Sequence, residues 1–304
     1  MPNWNEVLKE IGKCQRRDAL DYIRRKYLKR LHKKSHRNII AYYSGWIQKP
    51  GLRGSIIDDG DKNGFMTTIH LLDRTKGLDL IIHTPGGSVG ATESIINYLH
   101  SMFGSNIRAI IPQIAMSGGT MIACACKEII MGKQSNLGPI DPQYNGIPTE
   151  GVKEEFERAK EEIKKNPSTI PLWQAIFSQY HPTFIGECEK AIAWSKEVVE
   201  ECLQKVMFKG SKDAKKKASE VVKKLHDHVA HKSHDRHIHM QDCKSTIGLK
   251  VLSLEDEFDD EFQDLVLTVH HAYMHTFSQS TAIKIIENHN GIAMVHHVSP
   301  PSKK

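Results

Sequence analysis

The spacing of apolar residues changes along this chain, and the changes predict its elements. Leu20, Ile23, Tyr27 and Leu31 recur at helical spacing, predicting an N-terminal helix over about residues 5–35. Asn38 to Tyr43 then reads as a strand. A Gly- and Asp-rich loop at 50–61, expected to be mobile, precedes a short helix at 64–72. Asp79 to His83 is a continuous apolar run of the kind buried on both faces of a parallel sheet. A helix at 92–103 follows, with Ile95, Ile96, Tyr98, Leu99 and Met102 apolar. Next come a strand at 108–111, a small-residue helix at 117–126 and a strand at 128–131. Strands alternating with helices across short links predict parallel pairing. Beyond Gln143 the pattern turns helical, at 152–165, 183–208, 212–231, 263–278 and 282–288, and 298–304 reads as a frayed tail.

Two short runs carry candidate chemistry on this framework. Gly86-Gly87 closes the 79–83 strand, and Ser117-Gly118-Gly119 opens a helix about thirty residues later. A serine at a helix start beside a glycine turn suits acyl transfer, because one element offers a nucleophile and the other offers backbone N–H groups for an oxyanion. Gly118 presents its N–H without a side chain, Gly87 offers the second donor, and Gly86 permits the sharp turn. Each piece alone also reads as ordinary structure, Ser117 as a helix N-cap and the glycine pair as a tight turn. The pairing of the two on successive α/β elements favours a site.

Composition narrows the class. Charged residues make up 26% of the 304 and hydrophobic ones 39%, the balance of an ordinary globular protein. No run approaches the ~20 apolar residues of a membrane span, and the first residues lack an apolar signal core, so a cytoplasmic setting is expected. The six cysteines show no CxxC pairing, and Cys124 and Cys126 read as small core residues. The net charge of +6 is concentrated in Lys9 to Arg37 and Lys205 to Lys224. Both runs carry apolar stripes and lack aromatic interleaving, so they read as solvated helix faces, and no specific nucleic-acid partner is expected. The histidines between His226 and His239 match no standard metal spacing, and no metal or cofactor is expected.

His83-Thr84-Pro85-Gly86-Gly87, Ala115-Met116-Ser117-Gly118-Gly119-Thr120 and Ser135-Asn136-Leu137-Gly138-Pro139-Ile140-Asp141-Pro142-Gln143 together resemble the serine dehydrogenase proteinase family. That family is grouped with ClpP-fold proteases and the signal peptide peptidase A group. The likeness extends through Arg37 to Trp46 and Gly248 to Val251, and LGPIDPQ is its most distinctive piece. The resemblance implies an α/β, ClpP/crotonase-like spiral of ββα units with a parallel sheet. It implies a serine peptidase with Ser117 as nucleophile and Gly87 and Gly118 as oxyanion donors, acting on polypeptides as a homo-oligomer. Three parts are expected: a basic N-terminal helix at 1–36, the peptidase domain at 37–255, and a helical C-terminal extension with its tail at 256–304.

The general base is where the chain departs from the ClpP pattern. The stretch Leu137 to Pro142 has no histidine where that pattern has one. The signal peptide peptidase A group uses a lysine on a later helix, which makes Lys196 the first candidate, Lys190 the second and Lys160 the third. A lysine base needs burial enough to lose its proton near neutral pH, and all three also read as solvated helix lysines. Asp141 is read chiefly as a structural turn residue, and alternatively as a group that orients a base. Asp235 or His234 offers a weaker match to the ClpP segment that carries the triad aspartate. The rival functions are a non-catalytic scaffold on the same fold, a crotonase-type acyl-CoA enzyme, and an adaptor for membrane surfaces or nucleic acid using the basic N-terminal helix.

Overall fold

Seven apolar segments build one central sheet in the computed structural model, which describes residues 4–52, 54–144, 146–227, 231 and 233–298. In chain order the first six strands are β1 (Asn38–Ser44), β2 (Leu78–His83), β3 (Ile107–Ile111), β4 (Ile114–Ala115), β5 (Glu128–Met131) and β6 (Asn136–Leu137). The remaining six are β7 (Gln143–Tyr144), β8 (Ile147–Pro148), β9 (Ile238–His239), β10 (Val251–Ser253), β11 (Ala282–Asn288) and β12 (Ala293–His297). The large sheet runs β10-β5-β3-β2-β1-β11-β12, with parallel pairing from β10 to β1. The parallel core predicted from strand–helix alternation is therefore present.

The two faces of this sheet follow the period of two in each strand. Ile39, Ala41, Tyr43, Ile81, Ile110 and Ile130 face α2 (Ala19–Ser35) and the long helix Asp260–Gln279. Ile40, Tyr42, Leu80, Ile82, Ala109 and Ile129 face the other way, into the larger core. That core is covered by α3 (Asp61–Ile69), α4 (Val89–Phe103), α5 (Gly118–Cys124), α8 (Phe184–Cys202) and α9 (Ala214–Leu225), with α6 (Thr149–Lys165) and α7 (Ile170–Phe177) between α5 and α8 in the chain. Complete burial of each such aliphatic side chain contributes about 1.5–3 kcal/mol. The strand ends that carry the candidate site are thus anchored from both sides.

Three expectations change. The single N-terminal helix is two, α1 (Trp4–Lys13) and α2, broken over the polar run 14–18, which offers no apolar stripe. The segment 282–288 is a strand, not a helix. Its isoleucines suit a pleated surface, and it pairs antiparallel with β1 on one side and β12 on the other. Seven residues, four of them apolar, are too short to separate the two readings, and the open edge of β1 decides it. The 256–304 segment is therefore a helix followed by two strands, and the frayed-tail expectation beyond Val298 lies outside the described residues. Finally, the loop expected to be mobile is pinned. Ile57 forms a parallel bridge with Gly87, and Asp58 pairs with Lys284.

Candidate active site

Ser117 sits between β4 and α5 with φ 48° and ψ −114°, a left-handed backbone seldom adopted by a residue with a side chain. Such strain persists only where the surroundings enforce it, and it gathers at functional positions. Here Met116 N–H donates to Thr84 O at 3.0 Å, Thr84 N–H donates to Ile114 O at 3.3 Å, and Ser117 O accepts from Met121 N at 3.0 Å. The Ser117 hydroxyl makes no capping hydrogen bond to α5. The N-cap reading of this serine therefore fails, and its side chain is left to the cavity it lines.

The glycine turn after β2 closes against this serine. Gly86 has φ +96°, and a Cβ there would lie 2.7 Å from Ser117 Cβ. A Cβ at Gly87 would fall 2.3 Å from the Ile57 carbonyl oxygen, so both positions exclude a side chain. Ile57 N–H donates to Gly86 O at 2.8 Å, and Ser88 N–H donates to Ile57 O at 3.0 Å. In this parallel bridge the Gly87 N–H points away from Ile57. Gly118 opens α5, where the first N–H groups have no partner within the helix. A Cβ built on Gly118 would lie 3.4 Å from the Gly87 nitrogen, so the two backbone segments are neighbours. Ser117, Gly87 and their surroundings line a cavity of about 610 Å³.

Two further polar residues, His234 and Asp235, line the same cavity. His234 Nδ1 lies 2.9 Å from Asp141 Oδ1, and the Asp141 carboxylate is almost wholly buried. The register of the small β4-β6-β9 sheet brings them together. Asn136 pairs with His239 and Leu137 with Ile238, antiparallel. Four residues on from Leu137 is Asp141, and four back from Ile238 is His234. A carboxylate accepts hydrogen bonds, so the Asp141 contact suits the tautomer that carries its proton on Nδ1 and leaves Nε2 as an acceptor. Thr120 joins this side to the Ser117 turn, because its Oγ1 donates to Ala115 O at 2.9 Å and accepts from Gly138 N at 3.0 Å.

The lysines are placed elsewhere. Lys196 donates to Glu150 Oε1 at 3.0 Å and is absent from the cavity lining. Lys190 pairs with Glu187 and Lys160 with Glu157, each on an exposed helix surface. Asp235 is exposed at the cavity rim, its N–H bonded to Ser233 Oγ. Sequence reasoning noticed Asp141 and His234 separately and missed their pairing. The available signal was the apolar alternation of two very short strands, too brief to fix a register in advance. It also missed Ile57, which reads as an unremarkable loop residue until it pairs with Gly87.

Histidines next to this site are held neutral by burial. Burial, with the Lys196 cation nearby, pushes the His226 imidazole down to about 3, against an opposing pull from the Asp141 carboxylate. His226 Nε2 lies 3.2 Å from Ser195 Oγ. Among the described residues, no three His, Cys, Asp or Glu side chains are grouped to hold a metal ion. His228 lies outside those residues. Among the described residues no helix is long and apolar enough to cross a membrane.

Comparison with known proteins places the chain among its relatives. The chain is similar over 165 residues to the uncharacterized protein MJ1495 of Methanocaldococcus jannaschii, at 34% identity, covering 54% of this chain and 49% of the relative. A second uncharacterized protein of that organism, MJ0137, is 34% identical over 144 residues, covering 46% and 49% respectively. The chain thus spans about half the length of the curated relatives it matches. The model of the ClpP-like SDH-type serine proteinases matches residues 11–266, a span that holds both strand ends, the serine and the histidine described above. With most of its length matched, the chain belongs to the ClpP-like SDH-type serine proteinase family.

Proposed function

We propose that this protein is a serine peptidase in which Ser117 is the nucleophile, His234 the general base and Asp141 the group that orients it. The observation that carries this reading is the shared cavity. Ser117 and His234 line it together, while Asp141 Oδ1 lies 2.9 Å from His234 Nδ1. Ser117 Oγ attacks a peptide carbonyl as its proton passes to His234 Nε2. The Gly87 and Gly118 N–H groups receive the developing oxyanion, which is the largest electrostatic contribution in such sites. The C–N bond then breaks, and His234 delivers the proton to the leaving amine. Water, deprotonated by His234, hydrolyses the acyl-enzyme and regenerates the Ser117 hydroxyl. Asp141 stays ionised and stabilises the imidazolium.

This assignment takes a histidine in preference to Lys196, because the lysine is engaged with Glu150 and does not line the cavity. The same reading carries the ClpP-like spiral of ββα units, polypeptide substrates, a homo-oligomer and a cytoplasmic setting. The division of the chain at about 36 and 255 belongs to it as well. Fluorophosphonate labelling tests it directly. The wild-type protein is expected to form a covalent adduct at Ser117, and Ser117→Ala none. His234→Ala is expected to slow labelling by at least ~10²-fold, the usual scale of a lost general base. Labelling that survives Ser117→Ala, or an unchanged rate in His234→Ala, sinks the corresponding assignment. A non-catalytic scaffold or an acyl-CoA enzyme predicts no serine adduct with the probe.

A further inference from the structure

We propose that Lys284 is a positioning residue for the oxyanion hole, acting through the peptide group between Ile56 and Ile57. The inference rests on the Ser117 reading above. Lys284 lies on β11, beyond the residues 11–266 matched by the family model, and its side chain is fully buried. Its ammonium donates to three oxygens: Ile56 O at 2.7 Å, Asp58 Oδ2 at 3.0 Å and Asp61 Oδ1 at 2.7 Å. Asp61 is held in turn by the Tyr42 hydroxyl at 2.7 Å and by the Asp58 N–H at 3.1 Å.

The Ile56 carbonyl and the Ile57 N–H belong to one planar peptide group. Lys284 grips that group at its oxygen, and its N–H donates to Gly86 O at 2.8 Å. The Gly86 carbonyl shares the next peptide group with the Gly87 N–H, the donor assigned to the oxyanion. A buried cation thus stands at one end of a chain of two peptide groups whose other end faces the cavity. Hydrogen bonds in such a chain polarise one another in a medium of low dielectric. Lys284 therefore fixes the orientation of the Gly87 N–H and makes it a stronger donor, without touching substrate.

Lys284→Met alone leaves Asp61 buried without its cation, a change that unfolds proteins for reasons unrelated to catalysis. The double variant Lys284→Met/Asp61→Asn removes the two fully buried charges and leaves only the part-exposed Asp58 carboxylate. Labelling by a fluorophosphonate reads the result, since the phosphoryl oxygen occupies the oxyanion hole as the Oγ–P bond forms and fluoride leaves. The maximal labelling rate at saturating probe is expected to fall about tenfold, less than the ~10²–10³-fold from deleting a donor outright. The half-saturating probe concentration is expected to stay within about twofold, because the lost interaction belongs to the transition state.

The control lies three residues along the same strand. Glu287 pairs with Arg24 at 2.9 Å, both side chains buried, at a distance from the glycine turn. Arg24→Met/Glu287→Gln is expected to lose stability and keep the maximal rate. If Lys284→Met/Asp61→Asn does not fold, Lys284→Gln/Asp61→Asn carries the test, with a donor for Ile56 O but no charge and an expected loss of about threefold. An unchanged maximal rate in the folded Lys284 variant, with wild type labelled at Ser117, overturns this inference alone. So does an equal loss in the Arg24 and Glu287 control. A wild type that takes no label overturns the Ser117 reading and this inference with it.

Discussion

The Ser117 side of the cavity, the proposed nucleophile side, and the His234 side, the proposed base side, are built differently. Gly86, Gly87, Ser117 and Gly118 follow strands that are close in sequence and packed against the large sheet. Thr84 bridges to Ala115 and bonds Met116 and Ile114 through its backbone. Asp141 and His234 are 93 residues apart and are joined through strands of two residues each. The first side is held by a core covered on both faces. The second hangs on a short antiparallel pair, on Thr120 reaching Gly138, and on Ile140 N bonded to Leu225 O. Backbone bonding is thus concentrated around the donors proposed for the oxyanion. The base side depends on a few long-range contacts, each of which is open to test.

The largest expected effect comes from breaking the base side at its pivot. Asp141→Asn keeps the size of the side chain but removes the carboxylate that receives the His234 Nδ1 proton. The ring then loses both the preferred tautomer and the stabilisation of its imidazolium. A fall in the acylation rate on the order of 10³-fold is expected, with KM little changed. Steady-state kinetics on a peptide substrate, with the thermal midpoint as a folding control, measures it. A loss under about tenfold in a folded variant would break the comparison, because Asp141 would then be the structural turn residue that the sequence also allowed.

What was legible in the chain follows the same division. The runs around Gly86-Gly87 and Ser117-Gly118 are local, so residue types and spacing were enough to pair them. The parallel strands were legible because each is a continuous apolar run between helices of clear period. The pairing of Asp141 with His234 was not, because a contact across 93 residues depends on a register no local pattern encodes. Lys196 on α8 was the first candidate that the sequence offered. Glu150, at the start of a different helix, takes Lys196 once the chain is folded. Ala282 to Asn288 misled for a related reason, since its state is set by the open edge of β1 rather than by its own residues.

A smaller effect comes from buried histidines that the two sides share. His83 ends β2 behind the glycine turn, packed 4.4 Å from the Trp46 ring and 5.3 Å from His270. Burial holds His83 well below the ordinary histidine range, with His270 adding to it. Burial pushes His270 down to about 3, helped by His271, and His226 on the base side reaches a similar value. All three are neutral in the folded protein and take up protons when it unfolds below about pH 6.5. Their depressed values therefore leave stability complete above about pH 6.5 and draw it down as pH falls toward 3. The slope is about 1.4 kcal/mol per pH unit for each histidine, or ~2 kcal/mol each by pH 5. Urea unfolding at pH 7 and pH 5 reads this loss. His270→Phe is expected to flatten the profile, and a profile unchanged by that substitution would show that the acid loss arises elsewhere.

The smallest expected effect is the sharpest for the base. Lys196 is 38% exposed and its contact with Glu150 is of the partly solvated kind worth no more than about 1 kcal/mol. Lys196→Ala is therefore expected to change the fluorophosphonate labelling rate by less than about threefold and to shift stability by a few tenths of a kcal/mol. His234→Ala, in the same assay, removes the group proposed to receive the Ser117 proton. The two variants divide histidine from lysine without a natural substrate, since the probe reports only whether the serine can be deprotonated and its oxyanion held. A labelling rate that collapses in Lys196→Ala and persists in His234→Ala would move the base from the β9 side to α8. The cavity would then have to admit the lysine by releasing it from Glu150, and Glu150→Gln would raise the rate. With His234 as the base, Glu150→Gln leaves the rate where it was.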